Sequence, residues 1–248
     1  MDKLSFAGLV IAVLAIYFGF SIEGGTASAL LELPAFIIVF GGTLGAVLLQ
    51  SSSVQFFHAL SLLRWVFVPP VYNIEQGIEN IVQWAERARE AGYLSLENVA
   101  LDEQDPFVAK GLNLLVDGVE LDNLKASLEL DLDLYREHSL RSAAIFESMG
   151  GYSPTIGILG AVLGLIQALG HLQEPALLGQ GIATAFVATI YGVGFANLVY
   201  IPISNKIRAI VHNQTMYREM ITEGLLAIAA AENPHAIENK LSAFRLEQ

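Results

Sequence analysis

Residues 150–172 read GGYSPTIGILGAVLGLIQALGHL and contain no Asp, Glu, Lys or Arg. A second uncharged run, residues 181–202, follows a short loop. Each run can cross a bilayer, whose apolar core takes about 20 helical residues. Lipid gives helices no hydrophobic reason to associate, so membrane helices pack through small side chains. We therefore predict that these two spans pack closely through two faces of small residues: Gly157, Ala161, Gly164 and Ala168, and Gly181, Ala185, Ala188, Gly192 and Ala196.

The composition also indicates a membrane protein. Hydrophobic residues make up 54% of the chain, charged residues 15%, and the mean hydropathy is +0.52. Two further apolar runs, residues 4–22 and 34–52, precede the central region. Ala27-Ser28-Ala29 resembles a signal-peptide cleavage site, but Asp2 offsets Lys3 and a second apolar run follows at once. We therefore predict a retained transmembrane helix at the amino terminus.

The distribution of basic residues predicts the orientation. Neither residues 21–33 nor residues 171–179 contain Lys or Arg, whereas all 13 basic residues lie elsewhere. Basic residues concentrate in cytoplasmic loops, so both termini and the central region are expected in the cytoplasm. With four spans, both termini and the central region lie on the same side of the membrane, and with three spans they would not.

The predicted fold is an all-α integral membrane protein with four transmembrane helices. Residues 1–53 hold the first two with a short periplasmic loop, and residues 149–203 hold the other two. Residues 54–148 form a cytoplasmic helical domain between spans 2 and 3, and residues 204–248 form a cytoplasmic C-terminal helical tail.

Local signals divide the predicted cytoplasmic parts into helices. No period-two alternation occurs, so we expect no sheet. The periodic stretch from Asp122 is expected to run straight into the third span, and the helix after Pro202 to run to about residue 231. The predicted capping and breaking positions are Pro69-Pro70, Asn73 with Gln76, Asp105-Pro106, Asp117-Gly118 and Asn233-Pro234.

Enzyme and nucleic-acid functions find little support. The five histidines are scattered, there is no cysteine, and no metal-ligand spacing occurs. Gly192-Val-Gly194 lies inside an uncharged span without a preceding strand, so it is not a dinucleotide loop. The net charge of −12 argues against nucleic acid. We expect no catalytic site, metal or cofactor.

The absence of ionisable residues from the predicted spans is informative, because ion carriers place such groups inside the membrane. If this protein handles ions, the titrating carboxylate must come from another chain. The fourth span offers hydroxyls at Thr184, Thr189 and Tyr191, and the third at Thr155. For each taken singly, a hydrogen bond to its own helix is the simplest interpretation.

Several stretches, read together, are typical of one family. They are residues 153–160 (SPTIGILG), 183–192 (ATAFVATIYG), 196–206 (ANLVYIPISNK), 89–97 (REAGYLSLE) and 147–152 (ESMGGY). The first three resemble the third and fourth spans of flagellar motor stator A subunits, the MotA/PomA family. The fourth resembles the family's rotor-contact segment, and the fifth is most similar to the MotC branch. The resemblance covers the whole chain.

This resemblance implies an ion-conducting stator in the bacterial inner membrane, surrounded by lipid. Five A subunits would ring the membrane helices of two MotB-type B subunits, whose intramembrane Asp supplies the missing carboxylate. Ions would pass along the A/B interface, and the complex would exert torque on the rotor switch-ring protein.

The resemblance also assigns roles residue by residue. Pro154 and Pro202 take the places of prolines linked to coupling, and Thr155 and Thr189 those of hydroxyls near the Asp. Sodium-type members carry Thr where this chain has Ala161 and Ala188, which favours H⁺ as the coupling ion. Arg89 and Glu97 take the places of the charges that meet the rotor.

Alternatives remain open at this point. An ExbB/TolQ-type energising subunit would have three spans and a long loop after the first. A solute transporter would have its own binding site and discontinuous helices, and a membrane scaffold would have no ion role. Ala161 and Ala188 could serve only to pack helices, and Arg89 and Glu97 only to form a solvated face.

Overall fold

The computed structural model describes residues 3–247 and is built of helices and turns, with no strand in that range. Two helices contain a short π-helical segment: Ile37–Gly41 lies within α2, and Ala196–Tyr200 lies within α8. The helices are α1 (Lys3–Ile22), α2 (residues 33–50), α3 (Ser53–Phe67), α4 (Ile74–Ala91), α5 (Glu97–Asp102), α6 (Pro106–Val116), α7 (Leu121–Leu169), α8 (Pro175–Ala229) and α9 (Pro234–Leu241).

Four helical segments are long and apolar enough to cross a membrane: Leu4–Ile22, Ala27–Gln50 and parts of α7 and α8. They coincide with the four apolar runs of the sequence. The prediction of four candidate spans in an all-helical chain is thus confirmed. The assignment of the remaining helices to the cytoplasm stays a prediction.

The chain divides into two units. The first comprises Met1–Pro69 and Ser139–Ala209, and the second comprises Pro70–His138 and Ile210–Gln248. The chain therefore passes from one unit to the other at three places, and α7 and α8 run through two of them as continuous helices.

The second unit has a conventional apolar core. The predicted inner face of α4 is buried there, including Ile78 and Ile81, whereas Glu79, Glu86 and Glu90 on its other face are exposed. Burying these apolar side chains is the main stabilisation of this unit. The largest fully buried side chains of the second unit are Ile78, Ile81, Leu96, Leu112, Leu115, Leu124, Leu128, Met220, Ile221 and Leu225.

Most predicted capping signals are confirmed. Asp105 Oδ1 accepts a hydrogen bond from Phe107 N at 2.9 Å and caps α6. Gly118 follows that helix with a φ of +67°, where a side chain would be strained. The predicted box at Asn73 is only half formed, because the Gln76 side chain bonds Asn80 Oδ1 instead of reaching back.

One helix was not anticipated. The predicted break at Pro69-Pro70 is present, but the chain also breaks at Ser51, and α3 lies between the two breaks. Ser52 Oγ accepts from Gln55 N at 3.3 Å and caps α3. This helix leaves Val54 and Phe57 exposed and buries Ala59, Leu62 and Val66 in the first unit.

Candidate functional site

The two small-residue faces meet, and the backbones of α7 and α8 are in direct contact. A Cβ added at Gly157 would lie 2.9 Å from the carbonyl oxygen of Ala188. A Cβ added at Gly164 would lie 2.8 Å from both Ala185 N and Gly181 O. The helices can approach this closely because Gly157 and Gly164 of α7 have no Cβ atom. The predicted packing of these spans is confirmed.

Gly160, which the predicted face did not include, also packs against α8: a Cβ on Gly160 would lie 2.8 Å from Ala188 Cβ and 3.3 Å from Ile38 Cγ2 of α2. Ala161 is half-buried, one residue further around α7. A spacing of three or four residues returns to the same helical face, so the sequence alone left both positions eligible.

Ala188 is fully buried within the single chain. It belongs to an apolar cluster with Ala35 and Val39 of α2 and Val187 of α8. This position gives Ala188 a packing contact among three helices. Its role beside an ion path stays a prediction.

Two of the predicted threonine hydroxyls bond within their own helices. Thr155 Oγ1 donates to Tyr152 O at 2.8 Å, and Thr189 Oγ1 donates to Ala185 O at 3.3 Å. Thr155 is exposed and Thr189 is half-buried in the isolated chain. Both oxygens therefore keep acceptor capacity for a group brought by another chain.

Tyr191 differs from the threonines because it bonds outside its helix. Its hydroxyl donates to Leu30 O at 2.5 Å, and its ring lies 5.7 Å from the ring of Phe195 and 6.3 Å from that of Phe36. It therefore ties α8 to the segment before α2.

The two predicted coupling prolines lie inside continuous helices. Pro154 is half-buried within α7, and Pro202 is exposed within α8, directly after the π-helical segment. Proline has no N–H, so it leaves a carbonyl of the preceding turn without its helical donor. A π-helical segment also interrupts the regular hydrogen-bond ladder, and such segments recur at functional sites.

Two buried hydroxyls were not singled out from the sequence. Thr43 Oγ1 and Ser153 Oγ are fully buried and have no hydrogen-bond partner among the described residues. Ser153 immediately precedes Pro154, and its carbonyl oxygen lies 2.7 Å from a Cβ placed on Gly192. The motif Ser153-Pro154-Thr155 was visible in the sequence, but the burial of Ser153 depends on the neighbouring helices.

The predicted rotor-contact residues flank a tight turn in the second unit. Arg89 lies in the last turn of α4 and Glu97 opens α5, and both are exposed. Gly92 between them has a φ of +77°, which favours glycine. Ser95 Oγ donates to Gly92 O at 2.6 Å and to Arg87 O at 3.2 Å, which holds the turn. Within residues 3–247, no ion pair engages Arg89 or Glu97.

The surroundings of this turn include features that sequence reasoning missed. Leu94 and Leu101 are each 74% exposed and lie on either side of Glu97. Beside Arg89, a cleft of about 290 Å³ is lined by Ala85, Ala88, Arg89, Gly92, Tyr93, Ile228, Ala231 and Glu232. The sequence gives little sign that Leu94 and Leu101 are exposed, because leucines seven residues apart are equally compatible with the buried face of a helix.

No group of three or more metal-ligating side chains occurs in the part of the chain that the structure describes. The arrangement that does occur consists of close-packed uncharged helices in one unit and an exposed charged turn in the other.

Comparison with known proteins identifies the family. The description "MotA/TolQ/ExbB proton channel family" matches residues 100–220, and "Motility protein A N-terminal" matches residues 6–91. Motility protein A of Helicobacter pylori is 34% identical, over 97% of this chain and 94% of the relative. Motility protein A of Bacillus subtilis is 34% identical over 98% and 91%, and Chemotaxis protein PomA of Vibrio alginolyticus is 31% identical over 98% and 95%.

Solved structures agree with the sequence relatives. C. jejuni MotAB matches with a TM-score of 0.93 and 30% identity, covering 98% of this chain and 96% of the other. The flagellar MotAB stator complex of Bacillus subtilis matches with a TM-score of 0.87 and 31% identity, covering 99% of both chains. The sequence relatives and these two MotAB structures together show that the chain belongs to the MotA/TolQ/ExbB proton channel family.

Proposed function

We propose that this chain is the A subunit of a flagellar motor stator, which conducts protons together with a MotB-type partner and converts their flow into torque. The observation that carries this proposal is the match to MotAB stator structures over nearly the entire chain. ExbB/TolQ-type function is disfavoured because the match includes the motility-protein amino-terminal region as well as the shared channel region.

The partner is proposed to supply the carboxylate that carries the proton. Between Glu147 and Glu174, and between Glu174 and Lys206, the sequence contains no Asp, Glu, Lys or Arg. A charged group inside a membrane is costly and therefore serves function where it occurs. Here an intramembrane Asp of the partner would face Thr155 and Thr189, whose oxygens can accept a hydrogen bond from its protonated form.

Pro154 and Pro202 are proposed to shape the same route. Each deprives a carbonyl of its helical donor, so each leaves an acceptor that a protonated carboxyl or a water molecule can use. The proximity of Pro202 to the π-helical segment of α8 supports this role.

We favour H⁺ over Na⁺ as the coupling ion. Sodium must exchange its water shell for oxygen ligands, whereas a proton needs only an acceptor and a hydrogen-bonded route. At Ala161 and Ala188 this chain presents methyl groups in place of hydroxyls. The burial of Ala188 next to Gly160 supports the assignment, because a larger ligating side chain would have to displace its packed neighbours.

The exposed turn of the second unit is proposed to meet the rotor switch-ring protein in the cytoplasm. Arg89 and Glu97 carry opposite charges on its two sides, and charges at an interface set orientation and encounter rate. Assembly as a ring, most simply a pentamer around two B subunits, would present several such turns to the rotor.

The test is to express this chain with and without a MotB-type partner in cells that lack their own stators. Proton entry is measured from the fall in cytoplasmic pH, and torque from the rotation of tethered cells. We expect both only when the two subunits are present together, and neither when the partner's intramembrane Asp is replaced by Asn. A chain that reaches the membrane with its partner but supports neither proton entry nor rotation would refute the proposal.

A further inference from the structure

A polar cluster in the second unit touches every segment by which the chain enters or leaves that unit. The three passages lie at residues 69–70, 138–139 and 209–210. Tyr72 lies just after the first, Tyr135 just before the second, and Gln214 just after the third. We call this group the Arg218 cluster; its members are Tyr72, Asp105, Phe107, Tyr135, Gln214 and Arg218.

Arg218 of α8 lies at the centre of the cluster. Its guanidinium carbon is 4.0 Å from the centre of the Tyr135 ring of α7 and 5.2 Å from that of the Phe107 ring. Its Nη2 lies 3.7 Å from Asp105 Oδ1. The Arg218 side chain is only 14% exposed. A desolvated guanidinium over an aromatic face is held more strongly than one at the surface, so this contact joins α7 to α8.

Hydrogen bonds extend the cluster to the first passage. The Tyr135 hydroxyl donates to Gln214 Oε1, and Gln214 Nε2 donates to the Tyr72 hydroxyl at 3.4 Å. Gln214 is 2% exposed, so water does not compete for these bonds. Burial, followed by the charge of Asp105, raises the pKa of Tyr72, so this phenol, already neutral at physiological pH, moves further from ionisation.

The cluster also holds both ends of the segment that carries the exposed turn. Residues 74–102, which form α4, the turn and α5, begin two residues after Tyr72 and end three residues before Asp105. Glu103 Oε1 accepts from Asp105 N at 3.0 Å, and Asp105 caps α6. Arg89 and Glu97 therefore lie on a segment whose two ends meet the same arginine-centred group.

Stability alone does not explain why position 218 is an arginine. Its Nε is buried and has no hydrogen-bond partner among residues 3–247. A buried donor without a partner is destabilising, and apolar residues of similar volume often stabilise a core as well as a buried ion pair does. A charged, planar group that engages two rings and a carboxylate does, however, fix how those groups are oriented.

We propose that Arg218 is a positioning residue for torque transmission: its cluster binds α7, α8 and both ends of residues 74–102 into one body. This inference rests on the proposed stator function. When α7 and α8 move during proton passage, Arg89 and Glu97 would then move with them, because the second unit would not rearrange internally.

The experiment compares proton entry and torque in the same cells, with the full chain co-expressed with its MotB-type partner. Arg218→Met removes the charge at similar length, Arg218→Lys keeps the charge but loses the planar group, and Tyr135→Phe removes one hydroxyl. Arg136→Met is the matched control, because Arg136 is exposed on the same helix as Tyr135. Membrane abundance and co-purification of the partner are measured for every variant.

We expect Arg218→Met to keep proton entry and lose most of its torque per proton, with smaller losses for Arg218→Lys and Tyr135→Phe and none for Arg136→Met. If Arg218→Met fails to accumulate, Tyr135→Phe decides by the same comparison, since it leaves the ring beneath Arg218 in place. Proton entry and torque that fall in parallel, or that both stay at the parental level, would overturn the inference. A parent chain that supports neither quantity would instead refute the stator function itself.

Discussion

A Cβ placed on Gly192 would lie 2.7 Å from the carbonyl oxygen of Ser153, so α8 touches α7 through backbone atoms at this point. Gly194, two residues further along α8, has no described atom of the chain within 4 Å of the equivalent position. The two glycines therefore make a matched pair in one helix.

Gly192→Ala should separate the two helices and destabilise the protein by about 1–3 kcal/mol, the usual effect of overpacking. Gly194→Ala should have little effect in the same thermal-unfolding measurement on purified protein. Equal melting temperatures for the two variants would contradict the backbone contact described here.

Charge reversal at the exposed turn should impair binding to the rotor. Because steering by charges changes association rates, Arg89→Glu or Glu97→Lys should slow binding to the rotor switch-ring protein by about ten-fold at low salt and reduce swimming. Lys125→Glu, at a half-exposed position of α7, is the control. Membrane abundance and co-purification of the B subunit should be unchanged; normal swimming in both reversals would leave these residues as a solvated face.

Replacing the two prolines that are proposed to act in coupling should separate stability from function. Proline inside a helix costs about 3 kcal/mol relative to alanine, so Pro154→Ala should raise the thermal stability of the chain, or at least not lower it. If the proline serves coupling, the same variant should assemble and produce less torque, and so should Pro202→Ala. Pro175→Ala, at the first position of α8, is the control. Parental torque in both coupling-proline variants would remove these prolines from the mechanism.

The ion assignment predicts independence from sodium. Swimming driven by this stator alone should not change with external Na⁺ at constant proton motive force, and it should stop when a protonophore is added. A speed that rises and saturates with Na⁺ would defeat the proton assignment.

The two alanines at issue should respond differently to added hydroxyls. Ala161→Thr should be tolerated, because Ala161 is half-buried. Ala188→Thr should destabilise the chain, because Ala188 is fully buried and packs against Gly160. Thermal unfolding of the two variants tests this difference, and equal tolerance would contradict the packing.

The distribution of basic residues predicts the membrane topology. A reporter fused after Thr26 or Glu174 should be periplasmic, and one fused after Asn98 should be cytoplasmic. A cytoplasmic reporter after Thr26 would overturn the arrangement of four spans.

The sequence predicted those features that depend on local or periodic signals. The charge-free runs located the candidate spans, Asp105-Pro106 located the start of α6, and the periodicity after Asp122 predicted that α7 continues into the third span. These signals act within one helix, so they require no knowledge of its neighbours.

Features that depend on tertiary contact were less accessible. The close contact of Gly160 with Ala188 and Ile38 depends on two neighbouring helices, so the spacing within α7 did not predict it. The Arg218 cluster joins residues that are more than a hundred positions apart, and no spacing rule connects Tyr72 with Gln214. α3 was missed because its apolar residues resemble a continuation of the second span, and only the cap at Ser52 separates them.

The double attachment of residues 74–102 has a mechanical consequence. A segment anchored at one end can swing about that anchor when a force acts on its tip, and part of the motion is lost as a change of angle. A segment anchored at both ends to one body, as proposed for residues 74–102, would have no such hinge. A push on Arg89 or Glu97 would then be shared between two attachments, and the turn would advance by the same distance as the body that carries it.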